Sequence, residues 1–171
     1  MDAIHLLEQH HRSAETALKK LCRAYDRSVL DQLANELGAH MVIEETIFYP
    51  AVESVDPHLV LEGYEEHAVA EFALKRLLAT RGSDRRFEPR ATALLELIQH
   101  HVKEEEEDLF PHVAKKLDGE LLRSLGQRMS QKFDELAARG HDAVLPRQAS
   151  RITGDRTSQR FASSNGRARH V

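Results

Sequence analysis

A chain of 171 residues with 41% apolar content suits one domain with a real core, and no apolar run in it approaches the roughly 18 residues a membrane helix needs. Its single cysteine excludes a disulfide framework and a thiolate metal cluster, and with no signal-like start the expected location is the cytoplasm. The net charge of −4 is uneven: seven arginines against two aspartates put residues 139–171 at +5 and leave the first 138 at −9, a body expected not to bind nucleic acid.

Apolar residues recur at steps of three and four almost everywhere, with no strict alternation, so the expected class is all-α. Helix A is expected at about 3–25, B at 28–54 after "DRS", and C at 57–80 after "VDP". Helix D follows "RGSDRRFEP" at about 88–117, and helix E follows "DG" at 119–138. Such short loops favour antiparallel neighbours, which makes A to D an up-down-up-down antiparallel four-helix bundle. Helix E, with Leu122, Leu125, Met129, Phe133 and Leu136 on one stripe, is the extra C-terminal helix and packs outside. Residues 1–138 form the domain. Residues 139–171, rich in Gly, Ser and Arg and without a period, read as a disordered basic tail open to an acidic partner, a membrane surface or nucleic acid.

Helices B and D repeat one pattern. "HMVIEETIFYP" from His40 and "HVKEEEEDLFP" from His101 share H-x3-E, then an aromatic and a proline. The match selects His101 over His100, and Glu105 from a run of four glutamates, as counterparts of His40 and Glu44. Helices A and C align as "HRSAETALKKL" from His11 and "HAVAEFALKRL" from His67, which pairs Glu15 with Glu71. The chain thus reads as a duplicated helical hairpin. Spacing of i, i+4 puts His and Glu on one face, in line with Leu30, Leu33, Leu37, Ile47 and Ala51 in B and with Ala91, Leu94 and Ile98 in D. All four histidines fall at a similar depth in an antiparallel bundle, so four imidazoles and two carboxylates converge in its interior. Two carboxylates buried there without partners would cost several kcal/mol each, a cost that metal ions remove.

Six ligands exceed the four of a tetrahedral structural zinc site, so two ions are the better count, and mixed imidazole and carboxylate ligation places iron ahead of manganese or zinc. Bridging by Glu44 and Glu105 would leave positions for oxo, hydroxo, water or a small ligand. Around this set, His10, His100 and Glu104 are expected off the ligand face, and Glu15 and Glu71 are candidate extra ligands or proton relays, or simply partners of nearby histidines or water. His112 and Asp108 continue the His101 stripe toward the bundle end. Tyr64, one turn before His67, could donate to a bound ligand or simply pack, and Pro50 and Pro111 are expected to kink B and D just past the site.

The pattern H, HxxxE, H, HxxxE, with "EEHA" and "EEEEDLFP", resembles the hemerythrin-like, or HHE cation-binding, family over about residues 4–117. The resemblance implies a non-haem di-iron centre, two Fe ions with an oxo or hydroxo bridge, held by His11, His40, Glu44, His67, His101 and Glu105. Oxygen-carrying members have a second histidine four residues after the first on helix C, where this chain has Glu71, and that departure shifts weight from oxygen carriage toward sensing, scavenging or redox work with O2, NO or peroxide. Iron storage, or delivery for iron-sulfur repair, is the alternative reading, and a non-catalytic helical interaction module the third. No sequence feature sets the oligomeric state.

Overall fold

Four aspartates fix where helices begin. Asp2, Asp26, Asp56 and Asp118 each accept a hydrogen bond from a backbone N–H two or three residues on, satisfying donors that a helix start leaves unpaired. The computed structural model describes residues 1–145. In chain order its elements are α1 (Ala3–Leu21), α2 (Arg27–Ile43), a π turn (Glu44–Phe48) and α3 (Tyr49–Val52), then α4 (Pro57–Leu78). There follow α5 (Phe87–Glu104), a second π turn (Glu105–Leu109), α6 (Phe110–Lys116), α7 (Gly119–Ala138) and α8 (His141–Val144).

Packing of α1 on α2 and α5, and of α4 on α5 and α2, closes the expected four-helix ring around a core that includes Leu7, Leu18, Leu33, Leu74 and Leu94. Helix α7 lies outside it against α1 and α2, burying Leu122, Leu125, Met129 and Leu136. The contact is close at Gly126, where a Cβ would sit 2.6 Å from the Asp2 carbonyl carbon and 2.7 Å from Met1 O. Backbone cannot yield as a side chain does, so Gly126→Ala is expected to cost about 1–3 kcal/mol and lower Tm by roughly 3–10 °C in a melting curve.

Two expectations change. The tail was expected to begin at 139, yet Gly140, at φ +78°, turns the chain into α8, and Val144 and Leu145 bury themselves against Gly38 of α2. Two apolar side chains are enough to dock a four-residue helix too short to show a period. The rest of the expected tail, residues 146–171, lies outside the described residues.

The prolines also act differently from a kink beyond the site. Pro50 and Pro111 lack an N–H and crowd the preceding turn, and in both columns that turn widens: Tyr49 N–H bonds to Glu44 O, and Phe110 N–H to Glu105 O. Each π turn opens on a glutamate singled out by the repeat. The extra residue shifts the inward stripe by one. Instead of Ile47 and Ala51, the bundle buries Phe48, Tyr49 and Val52, and instead of Asp108 and His112 it buries Leu109, Phe110 and Val113. His112 pairs with Asp56 at the start of α4, at 3.2 Å. An aromatic at i+5 would stand about 140° round a straight α-helix; the wider turn carries it back over the glutamate.

Candidate metal centre

The six residues of the repeat meet. His11 on α1, His40 on α2, His67 on α4 and His101 on α5 are all buried, as are Glu44 (0% exposed) and Glu105 (4%) at the heads of the two π turns. Possible ligand atoms of His11, His40 and Glu44 lie within 4.8 Å of one another, and so do those of Glu44, His67 and His101. Each carboxylate touches one histidine from each side of the bundle. Glu44 Oε2 is 3.0 Å from His40 Nε2 and 3.3 Å from His67 Nε2, while Glu105 Oε2 is 3.2 Å from His11 Nε2 and 3.5 Å from His101 Nε2.

These contacts are close without being aligned as hydrogen bonds. His11 Nε2, both oxygens of Glu44 and Glu105 Oε2 are buried with no hydrogen-bond partner, a costly state that the space between them explains if cations occupy it. His67 Nε2 and His101 Nε2 face each other at 3.2 Å. Two nitrogens held about 2.1 Å from one ion at right angles are about 3 Å apart, so the donor set fits small cations.

The outer nitrogens are anchored. Nδ1 of His11 meets Glu106 at 2.8 Å, Nδ1 of His67 meets Glu45 at 3.2 Å, and Nδ1 of His101 meets Glu66 at 2.7 Å, an arrangement that fixes ring orientation and raises ligand basicity.

A model of the hemerythrin HHE cation binding domain matches residues 2–113. The chain belongs to that family. Among solved structures, it is similar to the hemerythrin HHE cation binding domain-containing protein of Mycobacterium kansasii, an Rv2633c homolog, at 25% identity and a TM-score of 0.72, over 81% of this chain and 89% of that one. Comparison with curated proteins finds no match.

In this HHE chain the electrostatics divide the site. Burial alone would lower His11, but Glu105 and Glu106 outweigh it and push it up to about 9; burial likewise opposes Glu44 and Glu45 at His67, which rises to about 10. Burial holds His40 well below the usual imidazole range, with His11 and His10 adding to it. Burial and the charge of Glu105 raise Glu44, whereas at Glu105 the effect of burial is overcome by His101 and His11, which bring it down to about 2.

Tyr49 is the residue the sequence left unmarked. Its hydroxyl donates to Glu105 Oε1 at 2.9 Å and lies 3.3 Å from His67 Nε2, and the ring stacks on His67. In the repeat it corresponds to Phe110, whose ring is parallel to His11. The signal was present: Tyr49 faces Gly63, one turn before His67, while Phe110 belongs to the half with Leu7 at that place. A Cβ on Gly63 would fall 2.7 Å from the Tyr49 hydroxyl. Gly63→Ala is therefore expected to cost about 1–3 kcal/mol in wild type and clearly less in a Tyr49→Phe background, a coupling that a double-mutant melting cycle measures.

The other candidates settle elsewhere. Tyr64 donates to the Glu45 carbonyl at 3.1 Å. Glu15 pairs with Lys19 and Glu71 with Lys75, and neither joins a cluster of potential ligands among the described residues. His100 and Glu104 form a third group with Glu66 on the surface, where exposed acidic clusters are common without an ion. The roles of Glu45 and Glu66 were not legible beforehand, because they depend on which flank of each helix faces its neighbour; Glu106, expected with His100, Glu104 and Glu107 either around the ligand residues or on the solvated side, is the one of these four that anchors His11.

Proposed function

We propose that the chain holds two non-haem iron ions, His11 and His40 serving one, His67 and His101 the other, with Glu44 and Glu105 spanning both. The observation that carries this reading is that each glutamate lies within 3.5 Å of one histidine from each pair. Imidazole mixed with carboxylate favours iron over zinc or manganese. Bound there, two irons would supply electron transfer and open positions for O2, nitric oxide or peroxide, which fits a sensor, scavenger or redox role.

The chain's own groups prepare the site for this. Glu106, Glu45 and Glu66 fix three imidazoles so that their Nε2 atoms face inward. Tyr49 holds Glu105 by one oxygen, donating its only hydroxyl proton to Oε1 and leaving Oε2 free of hydrogen bonds. Phe48 and Phe110, packed edge to face at 5.7 Å, keep bulk water from that end. Among the described residues no helix is long and apolar enough to cross a membrane, and a free Cys22 suits a reducing, cytoplasmic setting.

Anaerobic loading with ferrous iron, followed by metal analysis and oxidation by air, tests the proposal. About two irons per chain and near-ultraviolet bands in the oxidised form are expected. Iron well below one per chain, or no spectral change with O2, nitric oxide and peroxide added in turn, defeats it.

A further inference from the structure

The anchoring of the outer nitrogens follows the internal repeat, with one exception. Glu106, which follows Glu105, serves His11, and its counterpart Glu45, which follows Glu44, serves His67. Glu66, which precedes His67, serves His101. The counterpart of Glu66 is the residue preceding His11, and its duty by symmetry is His40. That residue is His10.

His10 takes the place without filling the role. Its ring stands edge-on to His40, with centroids 5.7 Å apart, and is held by stacking on Phe133 of α7 at 4.0 Å. Nδ1 of His10 and Nδ1 of His40 are both buried with no partner. Beside them, between α1, α2 and α7, is a cavity of about 150 Å³. Ser13 at its rim is exposed, His10, Glu36 and Phe133 are half-buried, and His40, 4% exposed, forms its floor. Since Nε2 of His40 is turned to Glu44, the edge left for this cavity is the one bearing Nδ1.

We infer that this pocket binds water, and that water bridging His40 Nδ1 to Glu36 and His10 takes the place of the carboxylate found on the other three histidines. The inference rests on the two-ion reading above, since an imidazole ligating through Nε2 carries its proton on Nδ1 and must donate it. The cavity has room for several waters, and two imidazole nitrogens and a carboxylate give them the two to four polar partners that ordered water needs. An apolar occupant would leave both nitrogens unpaired. An anion would meet Glu36, whose carboxylate already accepts from Ser13 Oγ at 3.1 Å and Gln32 Nε2 at 2.9 Å and stays turned to this rim. The centre is therefore lopsided: three of its histidines are clamped by carboxylates, and the fourth exchanges its proton with solvent. Glu36 is a positioning residue that acts on His40 through water.

Zinc, which is diamagnetic, makes this visible in the full-length chain. In zinc-loaded protein labelled with nitrogen-15 histidine, the Nδ1 protons of His11, His67 and His101 are expected to exchange slowly, and that of His40 at least about tenfold faster, with a cross-peak to water. His10→Glu restores the carboxylate that the repeat places opposite; the His40 proton should then slow to match the other three while zinc content stays the same. A wild-type His40 proton as slow as its three counterparts overturns the pocket alone and needs no variant. Fast exchange persisting in a His10→Glu chain that still holds zinc also overturns it. A chain that takes up neither zinc nor ferrous iron fails the two-ion reading, and this inference with it.

Discussion

Glu44→Gln is expected to remove both metal ions and leave the chain folded. Glu44 alone belongs to both inner clusters, with His11 and His40 on one side and His67 and His101 on the other. An amide keeps the volume but offers one weak oxygen donor where a carboxylate offered two, so neither cluster retains a charged ligand except through Glu105. Without metal the same substitution is mild, since burial and Glu105 already raise Glu44 toward its neutral form, which glutamine resembles. Metal-free stability should stay within about 1–2 kcal/mol of wild type. The metal-dependent part is far larger: two ions, each at a hundredfold excess over Kd, add about 5 kcal/mol in all, or roughly 10–20 °C in Tm. Titrating zinc or ferrous iron into wild type, Glu44→Gln and His101→Ala while recording Tm and bound metal separates the cases. Glu44→Gln should show almost no rise, and His101→Ala, which leaves the His11, His40 and Glu44 cluster whole, about half. A full rise in Glu44→Gln would mean that the ions do not share this residue.

Glu44 also marks the boundary of what the sequence made legible. Up to Glu44 and Glu105 the inward stripe can be read directly, since every step is three or four residues and Leu30, Leu33, Leu37 and Ile98 are buried as the period requires. Beyond those two residues the period fails, because a π turn adds a residue that no hydrophobic pattern announces; the prolines six positions later signal a disturbance without its kind. The aromatic at i+5 becomes inward-facing only through that turn, so in the sequence Tyr49 stands out only as part of a motif and not as a neighbour of the six clustered residues. Glu45 and Glu66 were hidden for another reason. They sit on flanks, half-exposed, and are distinguished from Glu15 and Glu71 only by the helix that happens to pack beside them. Helix α8 was hidden by its size: Val144 and Leu145 are two apolar residues in a polar stretch, and their burial depends on Gly38, more than a hundred residues away.

Metal uptake should be steeply pH-dependent, in the opposite sense to the stability of the metal-free fold. In the metal-free chain, contacts with Glu105 and Glu106 hold His11 up to about 9 against burial, and Glu44 and Glu45 hold His67 up to about 10. Both imidazoles are thus charged at neutral pH, and both must give up the proton on Nε2 to act as ligands. Because their folded values lie above the unfolded value of 6.5, their contribution to folding is fully present below about pH 6.5 and is lost as the pH rises through about 9 to 10. Metal affinity runs the other way. Each displaced proton makes apparent affinity rise about tenfold per pH unit, so two give about a hundredfold per unit between roughly pH 7 and 9, flattening above. Calorimetric zinc titrations in buffers of different ionisation enthalpy should count about two protons released per pair of ions at pH 7.5. Melting curves from pH 6.5 to 9.5 should show metal-free Tm falling while the gap between metal-loaded and metal-free Tm widens. His67→Gln removes one of the two protons and should halve the pH slope of the logarithm of overall metal affinity, leaving the single proton of His11, whereas an overall slope unchanged from wild type would show that the protons come from elsewhere. The buried charges that make the empty site costly are then also the gate on filling it: protons occupy at neutral pH the positive-charge places that cations take, and the two compete for Glu44 and Glu105.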